Sequence, residues 1–417
     1  MRASTCGRIA AGSGSPPTLH QNCASRERAT SDAVTYDVEA LRKREFPWAA
    51  RGERIFLDHA ATGPLPQRAR DAQAEANELR AELWRVGFEY FWDGVVRGRE
   101  FAAALINASP DEIAITTNTS QGVNLAARAL PFKAGDVVVS TAGEFPANIY
   151  PWMGLEKAKG VFLELVPMKH RLPDEDALIA ALDRPNVRAL TVSWVSFATG
   201  ARLDLARLGA ACRERGIWFV VDAIQGLGPA VLDVKACQID ILATGAQKWL
   251  LSPWGTGFAY VRRDLVQELD PPVVGWLSMP ASADFTRFLD YDYAFYPDAR
   301  KFEVFTAPMH DLKAMAASLS LFLELGPAAV AAHVASLADH VVAWCDGRPD
   351  VRLITPAARA RRAGLLSIAV DDLAAASARL SAAGVSHTVR EGGVRLSPHL
   401  YNTTAELDVA LAALVPR

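Results

Sequence analysis

Residues 217–226, IWFVVDAIQG, run an apolar strand into an aspartate, and residues 239–249, IDILATGAQKW, run a second one towards a lysine. Neither charge suits a dry strand end unless it is paired or neutralised, because desolvating an ion is costly. Each has a plain reading. Lys248 can snorkel its ammonium into water, and Asp222 can cap the turn that follows it. What surrounds the two residues decides whether those readings suffice.

Working outward, apolar runs alternate with helical patterns from Ile113 onward. IAITTN (113–118) reads as a strand and SQGVNLAARAL (120–130) as a helix with Ser120 as its cap. DVVVS (136–140) is a buried strand, and NIYPWMGLEKAKG (148–160) is a helix ending on glycine. VFLELVPM, VRALTVSWVS and IWFVVDA follow as strands, separated by the helices DEDALIAALD and DLARLGAACRERG. Apolar strands separated by helices imply an α/β fold with a mostly parallel sheet covered on both faces. A ligand is then expected at the carboxyl ends of the strands. Beyond about residue 300 the pattern changes to a long helical stretch up to Cys345 and then a smaller α+β unit. The expected organisation is an N-terminal extension (1–33), a large domain (51–300), and a small domain made of 34–50 with 301–417.

Composition narrows the function. The chain has 417 residues, half of them hydrophobic, and a net charge of −3. That charge carries no footprint of a nucleic-acid or anionic-membrane partner. No uninterrupted apolar run reaches membrane-spanning length. Cysteines 6, 23, 212, 237 and 345 and eight scattered histidines show no metal-ligand spacing, so no metal is expected. An odd, scattered cysteine set fits a reducing cytoplasm. Residues 1–33 lack a secretory h-region; they read as a disordered extension or upstream start, with an organellar transit peptide as the alternative.

TNTSQGVN (117–124) places hydroxyls and free amides at a helix start. That is either an anion cradle or ordinary capping; GxxxxGK[ST] is absent. A lysine, an aspartate at a neighbouring strand end and a phosphate cradle together match the needs of pyridoxal phosphate. The lysine would form the Schiff base, and the aspartate would pair with the ring nitrogen.

At this point a resemblance becomes specific. FLDHAATGPLP (56–66), TTNTSQGVNLAA (116–127), GEFPANIYPW (143–152), the Asp222–Lys248 region and VRLSPHLYNT (394–403) occur in that order. Together they resemble the class V aminotransferase group of fold-type-I pyridoxal-phosphate enzymes, over about residues 50–415. That group includes cysteine desulfurases, selenocysteine and cystine lyases, kynureninase and isopenicillin N epimerase-like enzymes. The resemblance implies a seven-stranded type of sheet, a small C-terminal α+β domain and a homodimer. It implies Lys248 as the Schiff-base lysine, Asp222 as the partner of the ring nitrogen and Gln225 on the ring hydroxyl. Thr119, Ser120 and Gln121 resemble the phosphate loop, and Phe145 the ring stacked on the cofactor. His59 and Ala60 match residues lining the substrate side, and Arg395 matches the grip on the substrate α-carboxylate. Gly275 and Trp276 resemble a segment lent by a second subunit, although a core tryptophan is an equal reading.

The chain also departs from the group. Gln247 stands where histidine is common, and Gly245 where a phosphate-binding serine is found, with Thr244 placed to compensate. Phe197 replaces an asparagine of the desulfurases. Residues 346–395 contain no cysteine, so a persulfide-forming nucleophile is not expected, and Cys345 and Cys237 read as packing. The expected activity is that of a pyridoxal-phosphate enzyme acting at Cα and Cβ of an amino acid, C–S (β-)lyase-like without a catalytic cysteine. Epimerase and aminotransferase chemistry are the alternatives. A catalytically silent cofactor-binding protein is a third reading. A dinucleotide-binding fold is disfavoured because GLGPAV lacks GxGxxG.

Overall fold

A computed structural model of the chain describes residues 36–415 apart from 88, 290 and 305. The expected extension 1–33 lies outside the described residues. The chain enters through α1 (Val38–Glu45), capped by Asp37, and α2 (Pro47–Ala50). It then passes β1 (Ile55–Phe56), α3 (Gln67–Ala81) and α4 (Glu89–Leu105).

From there strand and helix alternate: β2 (Ile113–Thr116), α5 (Thr119–Ala129), β3 (Val137–Thr141), α6 (Tyr150–Lys159), β4 (Phe162–Val166), α7 (Glu175–Ala181) and β5 (Val187–Ser193). The run continues through α8 (Leu205–Arg215), β6 (Trp218–Asp222), β7 (Ile241–Gly245), β8 (Gly257–Val261) and α9 (Arg263–Glu268). The strands form one seven-stranded sheet in the order β2-β8-β7-β6-β5-β3-β4. All run parallel except β8, which is antiparallel to both neighbours. Only residues 246–256 separate β7 from β8, too short a stretch for the helical crossover a parallel neighbour needs. Lys248 sits in this connection.

Helix ends follow local chemistry. Asp174 and Asp204 cap α7 and α8 through their side chains, and Gly160 and Gly216 close α6 and α8 at positive φ. One expected cap is corrected. α5 is capped by Asn118, whose side chain accepts from the Gln121 N–H, and Ser120 is already inside the helix. β4 is an edge strand with Phe162 and Leu165 exposed, so burial on both faces fails there, whereas β2 at the other edge is buried.

After residues 270–308, α10 (Met309–Leu325) and α11 (Pro327–Cys345) follow, broken at Gly326. Met309, Leu312, Met315 and Leu319 of α10 share a core with Val95, Ala102 and Ile113. By length and composition α11 could cross a membrane. It carries His333, Asp339 and His340, and it turns Val330, Val334, Leu337 and Val341 into the protein's cores.

The chain closes with β9 (Val351–Leu353), β10 (Leu366–Val370), α12 (Leu373–Ala382), β11 (Val385–Ser386), β12 (Thr388–Arg390), β13 (Gly393–Leu396) and α13 (Thr404–Leu414). The antiparallel sheet β12-β13-β10-β9 buries Leu366, Ile368, Val394 and Leu396 against α12 and α13. Its other face carries Ser367 and Arg395, direct neighbours in register. β1 pairs in parallel with β11, tying the segment after α2 to this unit.

Candidate active site

Three strand ends converge. β5, β6 and β7 run side by side, with Ser193 opposite Asp222 and Asp222 opposite Ala243. Asp222 is 2% exposed, and its Oδ1 accepts from the Ile224 N–H at 2.9 Å. The capping reading is therefore true but uses only one oxygen. Burial raises this carboxyl to about 6, against the pull of Lys248. Burial also draws the Lys248 amine down to about 8, opposed by Asp222 and assisted by Arg395 and Arg390.

The lysine loop is held from outside. The Gln247 carbonyl accepts from the Gly63 N–H at 2.9 Å and from the Thr62 hydroxyl at 3.2 Å. A Cβ on Gly63 would meet the Lys248 carbonyl oxygen at 2.3 Å, so this close approach requires glycine. The Gln247 side chain has no hydrogen-bond partner among the described residues. Leu251 leaves the loop at φ 53°, a backbone region costly for a branched side chain.

The start of α5 arrives over β7. Gly122 permits this, since a Cβ there would lie 2.6 Å from that of Ala243. Thr119 Oγ accepts from the Gly245 N–H at 2.8 Å and keeps its own hydroxyl proton free to donate. Gln121 Oε1 accepts from the Thr117 N–H and hydroxyl at 2.8 and 3.0 Å, which leaves its amide nitrogen to donate outward. Ser120 is exposed. Together with the helix N-terminus, these groups suit a phosphate. Thr244 does not join them: its buried hydroxyl turns back onto the Gly245 carbonyl at 3.1 Å. The expected compensation for the missing serine is thus corrected.

Phe145 is 43% exposed, and the Lys248 Nζ lies 5.6 Å from its ring centroid. Its ring centroid lies 5.2 Å from that of Phe197 in a T-shaped contact, and its exposed ring suits stacking on a planar group. The residue before it escaped the sequence reading. Glu144 accepts from the Ser193 N–H at 2.6 Å and from the Ser193 hydroxyl. Burial raises it to about 7, and the Asp222 charge adds to the rise.

Arg395 is 3% exposed, on the face of β13 turned away from the aliphatic core. One Nη lies 3.5 Å from Asp58 Oδ1 and the other donates to the Phe197 carbonyl at 3.3 Å. Its Nε has no partner among the described residues. A buried guanidinium with an unspent donor fits an incoming carboxylate. Asp58, in the quoted FLDHAATGPLP, was not singled out from sequence, although it also accepts from the Thr388 hydroxyl.

The residues beside Asp58 are corrected. His59 is fully buried; Nδ1 donates to the Ser397 carbonyl at 2.8 Å and Nε2 accepts from the Tyr401 hydroxyl at 2.9 Å. Burial holds its pKa well below the usual histidine range. Ala60 is enclosed with Trp249 and Leu365. Neither residue is offered to a substrate. Gln225 is half committed to the same support: it donates to the Ala60 carbonyl at 3.0 Å and accepts from the Trp249 indole at 2.8 Å. One of its amide hydrogens remains free. Trp276 is 44% exposed and packs edge-on to Phe285 and Phe288, so the core reading fails.

Cys345 is buried among aliphatic side chains, and its thiol is pushed up to about 11. It is no nucleophile at neutral pH.

Comparison with known proteins agrees with this geometry. The class-V aminotransferase model matches residues 55–409. A probable cysteine desulfurase of Methanothermobacter thermautotrophicus is 33% identical over 54% of this chain, and the alignment spans 56% of that relative, about half its length. The isopenicillin N epimerase of Streptomyces clavuligerus is 29% identical, covering 72% of this chain and 77% of its own. A cystine C–S lyase solved with cysteine persulfide superposes with a TM-score of 0.81 at 23% identity, covering 89% of this chain and 99% of that one. At that identity the likeness concerns the fold.

Proposed function

The chain belongs to the class-V aminotransferase family of fold-type-I pyridoxal-phosphate enzymes, and from that premise we propose that it releases a β-substituent from an amino acid, as a C–S lyase without a catalytic cysteine. The observation that carries the reading is buried Asp222 at the end of β6 and Lys248 in the connection after β7, each within reach of the other's charge, with the Lys248 Nζ 5.6 Å from the ring centroid of exposed Phe145.

In this reading Lys248 holds the carbonyl carbon of pyridoxal phosphate, Asp222 its ring nitrogen and Phe145 its face. Thr119, Ser120, Gln121 and the start of α5 hold its phosphate, and the free amide hydrogen of Gln225 reaches the ring hydroxyl. Gln247 borders the same space. When bound, the cofactor supplies an electron sink for negative charge at Cα.

The protein's own groups do the rest. Arg395 and Asp58 orient the α-carboxylate, spending the unpaired Nε. The Lys248 amine would take the α-proton; an amine drawn to about 8 is a competent base near neutral pH. The β-substituent leaves with its bonding electron pair, and water addition yields pyruvate and ammonia. Supporting this outcome over persulfide formation is the buried, protonated Cys345, together with the lack of any cysteine in 346–395. An epimerase or aminotransferase shares the proton abstraction and differs only in where the proton returns. The exposed cluster of Trp276, Phe285 and Phe288 supports a homodimer. The reduced cysteines described support the cytoplasm.

Two measurements test the proposal. The protein supplied with pyridoxal phosphate is expected to show a visible absorption band that Lys248→Ala abolishes; a band that survives the substitution refutes the lysine assignment. Proton NMR in D2O with L-cysteine, cystine and cysteine conjugates is expected to show pyruvate. Loss of the α-proton signal with an intact β-carbon would instead establish the epimerase or aminotransferase alternative.

A further inference from the structure

β12 and β13 form a hairpin turning at Glu391 and Gly392, both at positive φ. Residues opposite one another in an antiparallel pair share a face, as do residues two apart on one strand. Thr388 is opposite Arg395, and Arg390 is opposite Gly393. Thr388, Arg390 and Arg395 therefore lie on one face. Its direction is fixed twice, because the Thr388 hydroxyl and the Arg395 guanidinium both meet Asp58. Val394 and Leu396 take the opposite face, into the aliphatic core.

Arg390 is exposed, and its side chain makes no hydrogen bond or ion pair among the described residues. Its charge still acts on both the Lys248 amine and Arg395. The anions that act most on that amine are Asp222 and Asp58. In the function proposed above, Asp222 is matched to the cofactor ring nitrogen. Asp58 and the substrate α-carboxylate are matched to Arg395. That leaves Arg390 as a cation on the site face without a counter-charge.

We propose that Arg390 is a specificity-determining residue of this site and selects amino acids whose side chain ends in an anionic group. The inference rests on the reading that Arg395 holds the α-carboxylate. A second carboxylate reaching Arg390 would form a charge-assisted hydrogen bond that a neutral side chain cannot make. Placed at the rim, this contact adds discrimination, while Arg395 provides the common anchor.

The test uses unreactive ligands of matched length, so it needs no turnover. Dissociation constants of the cofactor-loaded protein are measured by calorimetry for pentanoate and glutarate, and for butyrate and succinate. The dicarboxylate of at least one pair is expected to bind about tenfold tighter than its partner, with the preference shrinking as salt rises. Arg390→Gln is expected to remove the preference and spare monocarboxylate binding. Arg390→Lys keeps part of it, as a point charge without the planar fork. Arg395→Gln is expected to weaken both ligands of a pair. A wild-type protein with no preference, or a preference that survives Arg390→Gln, overturns the proposal. If the visible band with pyridoxal phosphate is missing, the proposed function fails instead, and the same comparison remains readable on the unloaded protein.

Discussion

The buried polar residues around Lys248 and those around His59 differ in where their hydrogen bonds go. Around His59 the bonds mostly close on one another: His59 to Ser397, Tyr401 to His59, Trp249 to Gln225, Gln225 to Ala60, with His399 Nδ1 the exception. Around Lys248 they do not. Among the described residues Arg395 Nε is orphaned and one Asp222 oxygen makes no bond, and exposed Phe145 lies beside an amine drawn to about 8. Natural interiors rarely leave buried polar groups unpaired. The second set therefore forfeits stability that a ligand can return, and the first set is scaffold that keeps the second in position.

The comparison breaks if substitutions in the two sets behave alike. The largest effect is expected at Arg395. Arg395→Gln removes a donor that the substrate carboxylate would use, so affinity for the amino acid should fall about 100-fold. Unfolding stability should hardly change, because the lost guanidinium was itself desolvated and incompletely paired. Steady-state kinetics together with urea denaturation reads both quantities. A fall in stability without a fall in affinity would put Arg395 with the scaffold.

The reverse is expected at His59. His59→Ala leaves the Tyr401 hydroxyl without its partner inside the protein and opens a cavity, at a cost of about 2 kcal/mol in unfolding free energy. The affinity of the folded protein for its amino acid should stay within a few-fold of wild type. Loss of substrate affinity at unchanged stability would restore His59 to the substrate-lining role that its motif suggested.

That misreading shows what the sequence could and could not convey. The parallel sheet was legible because runs such as VRALTVS and WFVVD are mostly apolar without strict alternation, the pattern of strands covered on both faces. Asp222 and Lys248 stood out because each follows such a run, where a charge is costly. His59, Ala60 and Thr244 lie in equally telling motifs, yet their side chains point into the protein, and motif membership carries no side-chain direction. Ser120 lost the capping role to Asn118 because the helix begins at Thr119, two residues before a helix capped by Ser120 would start. Glu144 and Asp58 escaped because an acidic residue beside a loop is ordinary in sequence. Only the Ser193 and Arg395 groups, brought in from distant segments, make these two unusual.

Glu144 belongs cleanly to neither set, so it sharpens the comparison most finely. Its carboxyl is bonded like the scaffold, through the Ser193 N–H and hydroxyl, yet it is raised to about 7 by burial with Asp222 nearby. A carboxyl whose pKa is higher folded than unfolded binds its proton more tightly in the folded protein. Its stabilising contribution is complete below the usual glutamate range and is lost as pH rises through about 7. Stability of the cofactor-free protein should therefore decline across that window. Asp222, raised to about 6, adds a decline of the same sign at lower pH. Glu144→Gln keeps the shape and cannot ionise; the Ser193 hydroxyl can rotate to accept from the new amide. Relative to wild type, the variant should gain about 1–2 kcal/mol between pH 5 and 8, the smallest of the three effects. Urea denaturation at a series of pH values measures it. A wild-type–variant difference that stays flat over that range would mean that Glu144 is ionised throughout and stands with the scaffold. A difference that grows with pH would mean that its proton is held by the same water-poor pocket that lowers Lys248, which would make Glu144 part of the electrostatics of the site.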